Sequence, residues 1–120
     1  LRERPEPAMV AVSSPQELLA AQEAVASLHT AESVLRYVVA LLAATREHPL
    51  SAAGASPRAG LQLLRAARAH AALAGRDFVL PDDVQSLAQP VLAHRIKPVP
   101  AAPDAQAAIV ADALSAVPAR

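Results

Sequence analysis

The 120-residue sequence predicts an all-α fold, a small bundle of about five helices with room for one very short strand pair. Three observations lead there. The apolar fraction is 53%, yet much of it is alanine and only 2% of residues are aromatic. Alanine is the strongest helix former, whereas sheets favour β-branched and aromatic residues. Apolar side chains recur at three- and four-residue spacing in successive windows, the period of a helix with a buried face. Between those windows stand Ser-Pro, Gly and Pro-Asp-Asp, residues that start and stop helices. A chain of this length fits one domain and can bury on the order of 65% of the surface its unfolded form exposes.

Residues 1–13 contain two prolines and no periodic pattern, and read as an extended arrival segment. The first helix opens with Ser14 as cap, Pro15 in the first turn and Glu17 placed for a capping box. Leu18, Ala21, Val25 and Leu28 then mark one stripe. Thr30 is the expected cap of a second helix that runs to about Glu47, before Pro49. Val34, Leu35, Val38, Val39, Leu41 and Leu42 make it apolar around most of its circumference, which predicts the buried centre of the bundle. A loop over 49–55 contains Gly54. The third helix opens with Ser56 as cap and Pro57 at its first position, and stops at Gly75. Leu63, Leu64, Ala67, Ala71 and Ala74 share one face of it; Arg58, Gln62, Arg65 and Ala69 share the other.

Phe78, Val79 and Leu80 form a short apolar run suited to a brief strand. Pro81, Asp82 and Asp83 open a fourth helix, the carboxylates suiting its positive end. Leu80 falls at its capping position and cannot cap with a side chain. Val84, Leu87, Ala88 and Val91 are its buried stripe, and Pro90 is expected to kink or split it. Residues 97–103 carry three prolines and read as a linker. A last helix spans about Asp104 to Val117, with Ile109, Val110, Ala113, Leu114 and Val117 on one side. The organisation is therefore 1–13 as linker, 14–96 as the main helical unit, and 97–120 as a proline-rich linker with a C-terminal helix belonging to the same unit.

Lys and Arg number 11, as do Asp and Glu, so the formal net charge is zero and no basic field points to nucleic acid or an anionic membrane. Residues 56–100 carry six basic against three acidic side chains, compatible with one anionic ligand near 56–76. No cysteine is present, which excludes disulfides and thiolate chemistry. No apolar run approaches the roughly 20 residues that span a bilayer. The chain begins at Leu1 with no signal-like segment, and is expected to be a piece of a longer soluble, cytoplasmic protein.

With three glycines and no phosphate-cradling loop, the chain is not expected to hydrolyse nucleotide by itself or to hold catalytic residues. His29, His48, His70 and His94 are widely spaced, which does not make a metal site. Asp82 and Asp83 suit helix capping better than acid–base work. Arg58 stands apart, in the first turn of a helix whose opposite face is committed to the core. Its guanidinium would be placed by backbone, next to a helix end that itself favours anions. From the residues alone two readings stand: a solvated arginine, or a fixed cation waiting for a phosphate.

The segment Gly54-Ala55-Ser56-Pro57-Arg58-Ala59, followed by Leu63-Leu64-Arg65-Ala66-Ala67-Arg68-Ala69, closely resembles the second-sensor helix of MoxR-type AAA+ ATPases. Residues Gly75 to Val84 are similar to that family's GRDYV-TP-DDV segment. Val91-Leu92-Ala93-His94-Arg95-Ile96 resembles its VL-HR element. Tyr37-Val38-Val39 and Thr45-Arg46 fall at its YIV and TR positions. Order and spacing agree over about residues 14–118. The resemblance implies a helical lid that follows an ATPase core, with ATP and Mg bound in the intact protein and no cofactor held by this chain alone. It implies assembly with the protein's own core and with neighbouring subunits of a ring, commonly a hexamer. Chaperone-like work on partners is implied too, often on von Willebrand factor A-domain proteins. Arg58 matches the sensor arginine that reaches towards the γ-phosphate, Ser56 and Pro57 match positions that shape the helix start, and Gly54 the turn before it. Arg46, Arg76 and Arg95 are read as structural, at helix ends or between domains. Leu80 departs from the family's usual Thr, which bears on the helix cap only. The competing readings are a stand-alone helical interaction module without nucleotide sensing and a small DNA-binding domain. The latter lacks the several basic residues that a recognition helix needs.

Overall fold

The computed structural model describes residues 8–119, so the first seven residues of the expected arrival segment lie outside the described part. Helices α1 (Pro15–Ala26), α2 (Glu32–Glu47), α3 (Pro57–Leu73), α4 (Pro81–Leu92) and α5 (Gln106–Ala116) make up the protein. Strands β1 (Ser51–Ala53) and β2 (Lys97–Pro98) form a small antiparallel ribbon, and a single 3-10 turn covers Ala93–Arg95. The fold is a mostly helical bundle with one two-stranded sheet.

The core lies where α2, α3, α4 and α5 meet. Val34, Tyr37, Val38, Leu41 and Leu42 of α2 face Ala59, Leu63, Ala67 and Ala71 of α3. Val84, Ala88 and Leu92 of α4 and Ile109 and Val110 of α5 close it. Alanines on the inner face of α3 let its backbone approach its neighbours closely, at interior packing density. Only part of α2 is central: Leu35 and Val39, expected inside, are 39% and 62% exposed. They point to the flank that α3, α4 and α5 leave uncovered.

The caps of α1 and α3 are made by the expected residues. Ser14 and Glu17 close a reciprocal capping box, and the Ser56 hydroxyl accepts from the Ala59 amide at 3.3 Å. Gly75 ends α3 in the left-handed region at φ 75°, with Arg76 N–H donating to Ala71 O and Gly75 N–H to Ala72 O. That is the Schellman arrangement, and a Cβ would be strained at this φ. Thr30 does not cap α2. Ala31 occupies that position without a side-chain bond, while the Thr30 hydroxyl accepts from Arg68 Nε of α3 at 3.1 Å.

The strand pair is also displaced from its expected place. Residues 78–80 make only a parallel bridge, His29 to Phe78, and the ribbon forms between the loop after α2 and the segment expected as a linker. Val99 N–H donates to Leu50 O at 2.9 Å and extends it. Pro90 does not split α4, which runs through it to Leu92 and passes into the 3-10 turn at Ala93–Arg95. α5 packs against α2 and α4, and His48 Nε2 meets Asp112 of α5 at 3.0 Å.

α1 is peripheral. None of its residues is buried, and Leu18 and Leu19 are each 59% exposed. It lies along the outer side of α3, and the expected stripe of Leu18, Ala21 and Val25 faces Arg65, Arg68 and Ala69 across an open cleft of about 770 Å³. No helix of the described residues is long and apolar enough to cross a membrane.

Candidate functional site

Four residues singled out in the sequence, Gly54, Ser56, Pro57 and Arg58, come together where α3 begins. Ser56 is extended at φ −77° and ψ 163°, its hydroxyl meets an amide of the first turn, and Pro57 fills the first helical position. Arg58 follows, exposed, with no ion pair or hydrogen bond among the described residues. The first turn contains no acidic side chain. A cation at this end opposes the helix dipole, an arrangement that costs roughly 0.3–1 kcal/mol at an exposed site. An anion held by Arg58 and the helix end together would reverse that sign.

The turn before α3 is held from beneath by the last turn of α2. Thr45 is fully buried; its hydroxyl donates to Leu42 O at 2.8 Å and accepts from the Ala55 amide at 3.0 Å. Gly54 presses on the same turn. A Cβ built there would lie 2.5 Å from Cα, N and Cγ of Arg46. Its φ is not positive, so the need for glycine comes from close approach and not from the turn geometry that the sequence suggested. One turn into α3, Gly60 is buried, and a Cβ there would stand 2.5 Å from Leu42 Cδ1.

Residues 43–113 match the AAA lid domain family. The chain belongs to that family. The lid is 37% identical over 94 residues to the chaperone MoxR1 of Mycobacterium tuberculosis, covering 71% of this chain and 25% of MoxR1. The protein MoxR of Paracoccus denitrificans is 43% identical over 82 residues, which are 57% of this chain and 24% of that one. The uncharacterised YeaC of Bacillus subtilis is 38% identical over 85 residues, 71% of this chain and 27% of YeaC. The crystal structure of a Cytophaga hutchinsonii protein, provisionally named an ATPase, superposes with a TM-score of 0.79 at 30% identity, over 86% of this chain and 35% of its own. These relatives mark the chain as a lid of the MoxR type. It spans about a quarter of the length of the curated relatives it matches.

Not all of the polar face of α3 is open in the lid. Arg65, Arg68 and Ala69 line the cleft opposite α1, where Arg68 and Ala69 are half-buried while Arg65, like Arg58 in the first turn, stays exposed. At the other end of α3, Asp83 is 2% exposed and accepts four hydrogen bonds. They come from Arg76 Nη1 at 2.8 Å, Arg76 Nη2 at 2.6 Å, His70 Nδ1 at 2.7 Å and Leu80 N–H at 2.8 Å. The Arg76 guanidinium, with the Leu80 amide and His70, outweighs burial and holds this carboxyl well below the usual carboxylate range. Asp83 thus supplies the cap that Leu80 cannot, whereas Asp82 is exposed. Arg46 and Arg95 are exposed and make no ion pair among the described residues.

Thr45 and Gly60 are the site residues that the sequence did not single out for structural roles. A signal existed for Gly60, since a glycine inside a helical pattern points to close packing. Thr45 enters only as part of the TR position in the resemblance; its role stays hidden because its partner Ala55 is ten residues on.

Proposed function

We propose that this chain is the lid of a MoxR-like AAA+ ATPase and closes over ATP and Mg bound by a core domain outside it, with Arg58 as the residue that reads the γ-phosphate. The observation that carries the reading is the placement of Arg58: an exposed cation in the first turn of a helix fixed to the bundle, with no carboxylate in that turn to neutralise it. Gly54, Ser56 and Pro57 position it.

The mechanism is electrostatic. A guanidinium–phosphate contact is charge-assisted and worth roughly 1.5–3 kcal/mol. Hydrolysis removes the γ-phosphate from its place and with it that contact. Because Arg58 is part of α3, and α3 is packed into the bundle by Leu63, Ala67 and Ala71, the change would be transmitted to the whole lid as a hinge rotation. In a ring, commonly a hexamer, each rotation would alter the contact with the next subunit and drive chaperone-like remodelling of partner proteins, von Willebrand factor A-domain proteins among them. The setting is the cytoplasm.

The test is the ATPase rate of the intact parent protein against its Arg58→Ala variant. Loss of one such contact predicts a fall of about tenfold or more, since 1.36 kcal/mol is a factor of ten in rate. An unchanged rate with normal assembly would return Arg58 to a solvated surface role and leave a helical interaction module that packs without sensing.

A further inference from the structure

Resting on that reading of Arg58, we infer that Thr45 is a positioning residue for nucleotide sensing: its buried hydroxyl sets where the α3 N-terminus, and so Arg58, stands. Thr45 is fully buried near the end of α2, and so is Ala55, whose amide it receives at 3.0 Å. Its own proton goes to Leu42 O at 2.8 Å, which orients the hydroxyl and leaves a lone pair for Ala55. Arg58 lies three steps along the chain from Ala55, at most roughly 10 Å away. Ser56 and Pro57 between them are committed to the cap and the first helical position. Little slack remains to absorb a shift at Ala55.

The same segment is held on its other side by the ribbon, where Ser51 and Ala53 pair with Pro98 and Lys97. Gly54 between the two anchors lies directly on Arg46, which leaves no depth for the turn to sink. Against these contacts the Thr45–Ala55 bond fixes the height and direction of the helix start. It is well suited to that role because both partners are dry, where a hydrogen bond is strong and its loss leaves an unpaired amide. Misplacing a reacting or charge-bearing group by about 1 Å can cost on the order of 10²-fold in rate.

The experiment is a double-mutant cycle in the intact parent protein, reading kcat and KM for ATP, with melting temperature as the control for folding. Thr45→Val keeps the volume and removes the hydroxyl; Thr45→Ser keeps the hydroxyl. The expected result is a fall of about tenfold in kcat/KM for Thr45→Val, recovery in Thr45→Ser, and no further loss when Thr45→Val is added to Arg58→Ala. Thr45→Cys, with a weaker acceptor of similar size, replaces Thr45→Val if the latter does not fold. If Thr45→Val lowers activity by the same factor in the Arg58→Ala background, the residue acts on stability and the inference is overturned. It is overturned equally by a fully active Thr45→Val beside an impaired Arg58→Ala. A fully active Arg58→Ala instead defeats the sensor reading itself, and the positioning role with it.

Discussion

Asp83 allows a stability prediction worked from the geometry. Replacing it with alanine removes the acceptor of four hydrogen bonds and leaves Arg76, 24% exposed at its side chain, facing a pocket without its counter-ion. Breaking one half of a buried ion pair costs roughly 3–5 kcal/mol. Arg76 retains some access to water, so the lower end applies, about 3 kcal/mol including the lost Leu80 cap. For a domain of this size that is a fall of about 10 °C in Tm. The pH dependence follows from the lowered carboxyl. In the folded protein Asp83 stays ionised where the unfolded chain is already protonated, so its stabilisation is complete above the ordinary carboxylate value of about 3.9 and drains away as pH falls below it. Thermal unfolding followed by circular dichroism, for both proteins from pH 7 to pH 2, checks both parts. The gap between wild type and Asp83→Ala should be widest at pH 5–7 and should narrow below pH 4. A gap under about 1 kcal/mol at neutral pH, or one that stays constant down to pH 2, refutes the reasoning.

Two glycine substitutions separate close approach from backbone conformation. Gly54→Ala should cost about 1–3 kcal/mol from overpacking against Arg46, although its φ is ordinary. It should also speed hydrogen exchange at the Ala55 amide, which native-state exchange by NMR measures. Gly75→Ala has open space around the new Cβ and a φ of 75°, so it should cost only the left-handed penalty of about 1–2 kcal/mol. Gly75→Asn should recover part of that in urea unfolding, since asparagine tolerates this region better.

What could be read from the sequence was what short stretches decide among themselves. Ser14 with Glu17, Ser56 with Pro57, and the Gly75 stop all act within one turn of their own helix, and each stands where the residues put it. The readings that failed turned on partners far along the chain. Thr30 is as good a cap as Ser14 by local chemistry, but Arg68, 38 residues away, takes its hydroxyl. The Phe78–Leu80 run has strand character, yet the ribbon forms where the tertiary fold brings Ser51–Ala53 to Lys97–Pro98. The stripe of α1 has helical period, but period alone does not say how deeply a face is covered, and here it borders an open cleft.

The candidate site divides along the same line. Arg58, Ser56 and Pro57 are legible as a helix start carrying a cation, whereas Thr45, Gly60 and the reason for Gly54 are not. Those three act between α2 and α3, where a hydroxyl, a missing Cβ and a second missing Cβ set how closely the helix start sits on its support. Placing a cation for a phosphate requires both halves: a residue type that a short motif can specify, and a position within about 1 Å that only packing against another helix can supply. A lid in which the motif is intact and the α2 contact is lost should therefore fold with its arginine in place by sequence and out of place in space. That is why Thr45→Val and Arg58→Ala are expected to be one lesion in their kinetics despite lying on different helices.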